Sequence, residues 1–179
     1  MPNLRTPYSN VYGSCPEGAR QIIVAAGMIA YHQAKARLLS PYEDAVEVLR
    51  ILKDRRLGLG IISSGVGIKQ SEKIVRLGVH QIVEARHIHI TDAVGIAKTN
   101  PKIYRRACQA MDVNPHEAAY VGDNPAMDVD IPRRVGMRTF WSRRGGKYAD
   151  VRPAQPADHT VHNFWDLLEI IDQQYNING

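Results

Sequence analysis

Three short polar segments, each following an apolar run, carry the residue types that bind or transfer anionic groups. The sharpest is Tyr120-Val-Gly-Asp-Asn-Pro-Ala-Met-Asp128. An aspartate placed directly after an apolar strand points beyond the strand end, and Gly122 is expected to let the backbone turn tightly there. Asp123 and Asp128 together offer the carboxylate oxygens that Mg²⁺ prefers. The alternative is that Asp123 caps a helix and Asp128 is solvated; the motif as a whole favours the metal. Ser63-Ser64-Gly65 follows the apolar run Leu57–Ile62. Its hydroxyls and the N–H groups of the next turn could hold an oxyanion at a helix N-terminus, although taken alone these residues read as a helix cap. Lys98, within Gly95-Ile-Ala-Lys-Thr-Asn-Pro101, could neutralise phosphate or carboxylate charge; standing alone it reads as a surface lysine.

The elements that must position these groups follow from breakers and periodicity. Residues 1–15 are rich in proline and small polar residues and read as irregular. Glu17 to Leu39 reads as helical, with Gly27 as a point of breakage. Ser40-Pro41 is expected to open the next helix, serine as N-cap and proline in the first turn, with apolar positions Ala45, Val48, Leu49 and Leu52 at helical spacing. Leu57–Ile62 reads as a buried strand and Lys69–Leu77 as a helix stopped by Gly78. Arg86–Ile90 alternates like a half-buried strand. Asn100-Pro101 opens a helix running to Met111, and Asn114-Pro115-His116-Glu117 has the pattern of a capping box. Ala118–Val121 and Arg138–Trp141 read as strands, Asn124-Pro125 to Val135-Gly136 as a helix, Thr160-Val161 as a short strand and Phe164–Tyr175 as the closing helix. Strands alternating with helices in this way predict an α/β fold with a parallel sheet. In such sheets ligands sit beyond the carboxyl ends of the strands, where the three polar segments fall.

Composition narrows the classes. With 179 residues, 44% hydrophobic and 23% charged, the chain suits one domain, or a domain plus a small appendage. Division into residues 1–40 and residues 41–179 is expected. The longest apolar stretch, Ile22–Tyr31, is shorter than a membrane span, and Met1–Gly13 has no secretory pattern. Cys15 and Cys108 make neither a disulfide framework nor a metal cluster, so a cytoplasmic location is expected. The net charge of +5 comes partly from the scattered doublets Arg105-Arg106, Arg133-Arg134 and Arg143-Arg144, which read as solvated surface and not as a nucleic-acid face.

Taken in order, the three segments resemble the motifs of the haloacid dehalogenase (HAD) superfamily. Ile61-Ile62-Ser63 is similar to its second motif, Lys98 to its third-motif lysine, and Gly122-Asp123 with Asp128 to its fourth. Tyr12-Gly-Ser14, Ala30-Tyr31-His32, Lys69-Gln70, Arg76-Leu-Gly-Val-His80 and Val135-Gly-Met137 look like the 2-haloacid-dehalogenase-like branch. The resemblance implies a Rossmann-like core with the remnant of a helical cap. It implies Ser63, Ser64, Gly65 and Lys98 at the substrate, with Ser63 and Lys98 in the chemistry. It implies Mg²⁺ on Asp123 and Asp128, and a small phosphorylated or halogenated acid as substrate. The Gly-Asp-x4-Asp pattern suits metal-dependent phosphatase chemistry better than dehalogenation.

The first motif of that superfamily, Asp-x-Asp-x-Thr/Val, supplies the nucleophile and the acid–base. Nothing in residues 1–56 fits it: Asp44 and Asp54 fall in a predicted helix. The sole Asp-x-Asp, Asp128-Val-Asp130, follows the fourth motif and reads as a helix face. The chain therefore reads as a relative with its front removed and inactive as written. The resemblance makes the first strand central, so its loss would leave a gap of roughly 10 Å between the strands ending at Ser63 and Gly122. The neighbours could close up, residues 1–11 could fill the slot, or a second chain could supply the edge to give a homodimer. The competing function is a pseudoenzyme or interaction module that dimerises through exposed sheet edges. Thr99 stands where the family often has proline, and Ile131-Pro132 should kink or end its helix. His87 and His89 read as a polar strand face, Trp141 and Trp165 as packing residues, and Tyr31-His32 equally as a packed helix position or an entrance to the site.

Overall fold

A computed structural model describes residues 16–148 and 150–175. The chain divides into two units, Met1–Ser40 and Pro41–Gly179. In the first, helix α1 spans Glu17–Leu38. It runs unbroken through Gly27, because one glycine costs only about 1 kcal/mol against alanine in a helix. Ile22, Ile23, Val24, Met28, Ile29 and Tyr31 on it are exposed, and the Tyr31 and His32 rings meet edge to face. Among the described residues no helix is long and apolar enough to cross a membrane.

The second unit alternates strands and helices. Helix α2 (Glu43–Asp54) begins two residues later than Ser40-Pro41 suggested, with Tyr42 as N-cap and no side-chain capping bond. Strand β1 is Ile61–Ser63, followed by α3 (Gly67–Arg76), β2 (Ile88–Ile90), α4 (Thr91–Val94) and α5 (Lys102–Ala110). Gly78 ends the α3 region in the left-handed conformation, φ 70°, as its position implied. Asn114 and Glu117 form the expected capping box. Strand β3 is Ala119–Gly122, α6 is Ile131–Arg134, β4 is Arg138–Ser142, β5 is His159–Val161 and α7 is Phe164–Gln174.

The run Leu57–Ile62 ladders only from Ile61 onward, because β2 offers partners only from Ile61↔Ile88 to Ser63↔Ile90. Leu57 and Leu59 still pack into the core, while a Cβ on Gly58 or Gly60 would meet the Met111 side chain at 3.0 and 2.9 Å. The stretch expected to be one helix from Asn124 to Val135 is two pieces. A π-type turn covers Pro125–Asp130, and α6 then starts with Pro132 in its first turn. Proline lacks the N–H that a helix interior needs, so it starts a segment here and does not end one.

Among the described residues the ladders form two sheets. One is β1–β2, parallel; the other is β3–β4–β5, parallel throughout. The strands ending at Ser63 and Gly122 have therefore not closed up. Residues 1–11 lie outside the described residues. The Tyr120 hydroxyl donates to the Ile62 carbonyl at 3.3 Å and links the two sheets. Packing links them more strongly: Ile103, Tyr104 and Cys108 of α5 share a cluster with Ile62 of β1 and Tyr120 of β3. A second cluster joins Val48 and Leu52 of α2, Phe140, Val161, and Leu167 and Ile171 of α7.

His87 and His89 are not a solvated polar face. His87 sits in the turn before β2, both are buried, and neither Nε2 has a hydrogen-bond partner among the described residues. Burial, then Arg106 and His87, push the His89 imidazole below its ordinary pKa. Burial acts the same way on His159; Asp158 opposes it and Arg138 adds to it. The unfolded chain thus binds more protons than the folded one below the ordinary imidazole range, so stability is full above about pH 6.5 and falls as pH drops below it. The urea midpoint should be lower at pH 5.5 than at pH 7.5, and His89→Leu should shrink that difference; a midpoint flat across this range would count against the assignment.

Candidate functional site

The polar residues collect after β1 and β3, and the β3 end is the more tightly built. Asp128, in the π-type turn, is buried. Its Oδ2 accepts from the Asn124 N–H at 2.9 Å. Its Oδ1 lies 2.6 Å from the Lys98 Nζ. That oxygen has no well-aligned hydrogen bond, so the ammonium charge is its compensation. Lys98 Nζ also lies 5.2 Å from the centre of the Tyr120 ring, over its face. Burial, then Asp128 and Asp123, hold the Tyr120 phenol well above its ordinary pKa, so it stays a neutral donor. Behind it Tyr104 meets Tyr120 edge to face, and the Tyr104 hydroxyl donates to the Met127 carbonyl at 2.5 Å, bracing the turn that carries Asp128.

Gly122 serves this carboxylate by leaving space for it and not by a tight turn. Its φ is not in the left-handed region. Glycine is needed for space instead: a Cβ there would lie 2.3 Å from the Asp128 carboxyl carbon. Asp123, one residue on, is exposed, and its carboxylate has no partner among the described residues. Its carbonyl accepts from the Trp141 indole N–H at 3.3 Å, so a tryptophan read as packing also fixes the loop that presents Asp123.

At the β1 end, Ser63 Oγ is 3.1 Å from Gln70 Oε1. Ser63 and Ser64 do not cap α3, whose N-cap is Val66. Instead the Gly65 N–H donates to Thr91 Oγ1 at 3.2 Å and the Gly67 N–H to Asp92 Oδ2 at 2.8 Å. Asp92 thus supplies the negative charge at the α3 N-terminus. The signal for it was present: Thr91-Asp92 directly follows the apolar β2, the rule that singled out Asp123. Gln70 and Tyr120 had no such signal. The structure brings Lys98 and Asp128 together, leaves Asp123 exposed after β3, and gives Ser63 to Gln70.

The family model of the haloacid dehalogenase-like hydrolases matches residues 7–136. The chain belongs to this family. Among curated HAD proteins, it is 40% identical over 152 residues to the glyceraldehyde 3-phosphate phosphatase of Methanopyrus kandleri, covering 83% of this chain and 64% of that one. It is 34% identical over 161 residues to the phosphoserine phosphatase of Thermus thermophilus, covering 88% and 58%. The crystal structure of a HAD phosphatase from Thermococcus onnurineus superposes with a TM-score of 0.65 at 30% identity, over 73% of this chain and 57% of that one. The chain thus spans less than two thirds of the length of these HAD relatives.

The ion pair and the glycine make separable predictions. Asp128→Asn keeps the volume but strands a largely buried ammonium, and should cost about 3 kcal/mol of stability by urea denaturation. Lys98→Met with Asp128→Asn should recover much of that loss, whereas a strictly additive double variant would show that the pair is not coupled. Gly122→Ala should cost about 2 kcal/mol or more through overpacking against Asp128.

Proposed function

We propose that this chain carries the phosphate-facing part of a phosphomonoester hydrolase site, and that as a chain of 179 residues it turns over phosphomonoesters negligibly. The observation that carries the reading is the Lys98 ammonium, held by Asp128 at 2.6 Å at the end of β3, which is followed by the exposed Asp123. Relatives named as phosphatases support a small phosphorylated substrate over a halogenated acid. In this reading Lys98 is the catalytic cation, its direction fixed by Asp128 and the Tyr120 face. It neutralises charge on the transferring group. The Ser63 hydroxyl, released from Gln70, donates to a phosphate oxygen. Ser64 and Gly65 complete that side. The Gly65 and Gly67 N–H groups are already used by Thr91 and Asp92, so the serine hydroxyls carry the anion contact there. The sequence holds no Asp-x-Asp-x-Thr/Val, so no residue of this chain fills the nucleophile or acid–base role.

Mg²⁺ fits these residues poorly. It needs several oxygen ligands. Asp123 offers one open carboxylate, but Asp128 is committed to Lys98 and the Asn124 N–H. Among the described residues no group of three His, Cys, Asp or Glu could hold a metal. Mg²⁺ is usually held through one or two carboxylates with waters completing its shell, and with Asp128 committed only Asp123 would hold it here.

A second reading, an interaction module that forms a homodimer, is favoured by one observation. β1 and β3 are both edge strands that do not pair with each other among the described residues. Unpaired edges template pairing with another chain. A mass that rises with concentration in analytical ultracentrifugation would support it, and a monomer throughout the micromolar range would remove it.

The activity test is direct. Hydrolysis of p-nitrophenyl phosphate, with and without Mg²⁺, should stay at the buffer rate. Mg²⁺-dependent turnover that disappears in Asp123→Ala would overturn the proposed inactivity.

A further inference from the structure

A second cluster of cations lies at the opposite end of the β3–β4–β5 sheet. A cavity of about 350 Å³ there is lined by His116, Arg133, Gly136, Met137, Arg138 and Asp158. Every one of these residues sits at or before the start of a strand. His116 precedes β3, Arg138 begins β4, and Asp158 precedes β5. Asp123 follows the far end of β3. With strands rising about 3.3 Å per residue, the two ends of β4 are roughly 13 Å apart. The cavity is therefore separate from the Lys98–Asp128 site.

Its charge is unbalanced. Asp158 is the one acid lining it, and that carboxylate is largely used. Oδ2 accepts from both the N–H and the hydroxyl of Thr139 at 2.8 Å. Oδ1 is 3.6 Å from an Arg133 guanidinium nitrogen, a long pair. Burial alone would raise the Asp158 carboxyl; the Thr139 bonds, then Arg133 and Arg138, hold it below its ordinary value, so it stays ionised. Arg133 also donates to the Pro156 carbonyl. Arg138 is exposed, has no acid within ion-pair distance among the described residues, and is set by stacking on the Tyr175 ring 5.2 Å away. A guanidinium fixed by stacking keeps its donor fork pre-organised for a planar pair of oxygens.

The cavity wall is also specifically shaped. Gly136 has φ 94°, and a Cβ there would lie 2.4 Å from His116 Cε1. Only glycine allows both that backbone and the close approach of the imidazole. The ring is thereby brought against the same cavity as the two guanidinium groups.

We infer that Arg138, Arg133 and His116 form a second anion site, for an oxyanion of phosphate size, at the N-terminal end of the sheet. The cavity is at the small end of ligand-sized pockets. Two arginines against one committed carboxylate leave net positive charge for the guest.

The test is titration of the full chain with inorganic phosphate at low ionic strength, followed by calorimetry and by ¹H–¹⁵N shift mapping. Phosphate should move the amides of Gly136, Met137 and Thr139. Affinity at this site should survive Lys98→Met and the control Arg86→Ala, and weaken at least about tenfold in Arg138→Ala. Arg138→Lys keeps the charge without the fork, and should fall between. Shifts confined to Ser64, Gly65 and Asp123, lost in Lys98→Met, would overturn the second site and leave the proposed function standing. Equal weakening in Arg86→Ala would also overturn it, since that is a general charge effect, as would the absence of phosphate binding in the unaltered chain.

Discussion

Asp128 is a carboxylate with almost no access to water, and Lys98, Asn124 and Gly122 are arranged around it. An isolated buried carboxylate would be several kcal/mol unfavourable, so it must be paired and hydrogen-bonded. Lys98 supplies the charge and Asn124 the N–H. Each partner imposes something further. Lys98 ties the loop after α4 to the end of β3. The Asn124 contact folds the segment 125–130 into a π-type turn directly behind β3, where a plain α-helix was expected. The carboxyl group then occupies the space of a Cβ at Gly122, which makes that glycine a packing requirement. Residues of two separate stretches, the loop bearing Lys98 and residues 122–130, are fixed by one negative charge.

The same geometry explains how two small sheets form one core. β1–β2 and β3–β4–β5 share no ladder among the described residues, and a two-stranded sheet is marginal by itself. Helix α5 covers both. Its Ile103, Tyr104 and Cys108 pack on Ile62 from one sheet and Tyr120 from the other. Tyr120 adds a directional contact by donating to the Ile62 carbonyl. Its phenol stays protonated because it is buried and feels the negative charges of Asp128 and Asp123, so the donor role is secure. The tyrosine faces Lys98 with its ring and β1 with its hydroxyl, so the ion pair and the sheet-to-sheet contact depend on one side chain.

The sequence was most informative where chemistry is local. The Asn114–Glu117 capping box and the stop at Gly78 rest on short-range rules and are where the pattern put them, and the strand before Asp123 is shifted by one residue, to Ala119–Gly122. It was least informative where a residue answers to a distant partner. Leu57–Ile62 has a strand's composition, but only its last two residues find a ladder. Ser40-Pro41 has a good cap signature, yet α2 starts later, where Asp44 reaches Arg144 and the Phe164 N–H. Gly122 was legible as a glycine that matters, but its reason is a side chain six residues ahead. His87 and His89 alternate like an exposed face and are buried, because what covers them is not written in their own spacing.

The arginine doublets show why net charge alone is a poor guide to partners. Read in sequence, they are scattered and solvated. In the structure Arg133, Arg143 and Arg144 of these doublets, and Arg138 nearby, each have their own contacts. Arg144 is paired with Asp44 and lies over the Tyr42 ring. Arg143 stacks on Trp141, whose indole holds the Asp123 loop. Arg133 is divided between Pro156 and Asp158, and Arg138 rests on Tyr175. A surface that binds nucleic acid needs cations along one continuous track. Here the charges are anchored one by one by aromatic faces and single carboxylates. Two of them, Arg133 and Arg138, line one cavity at the start of β4. A local pair of this kind suits a small anion better than a polymer.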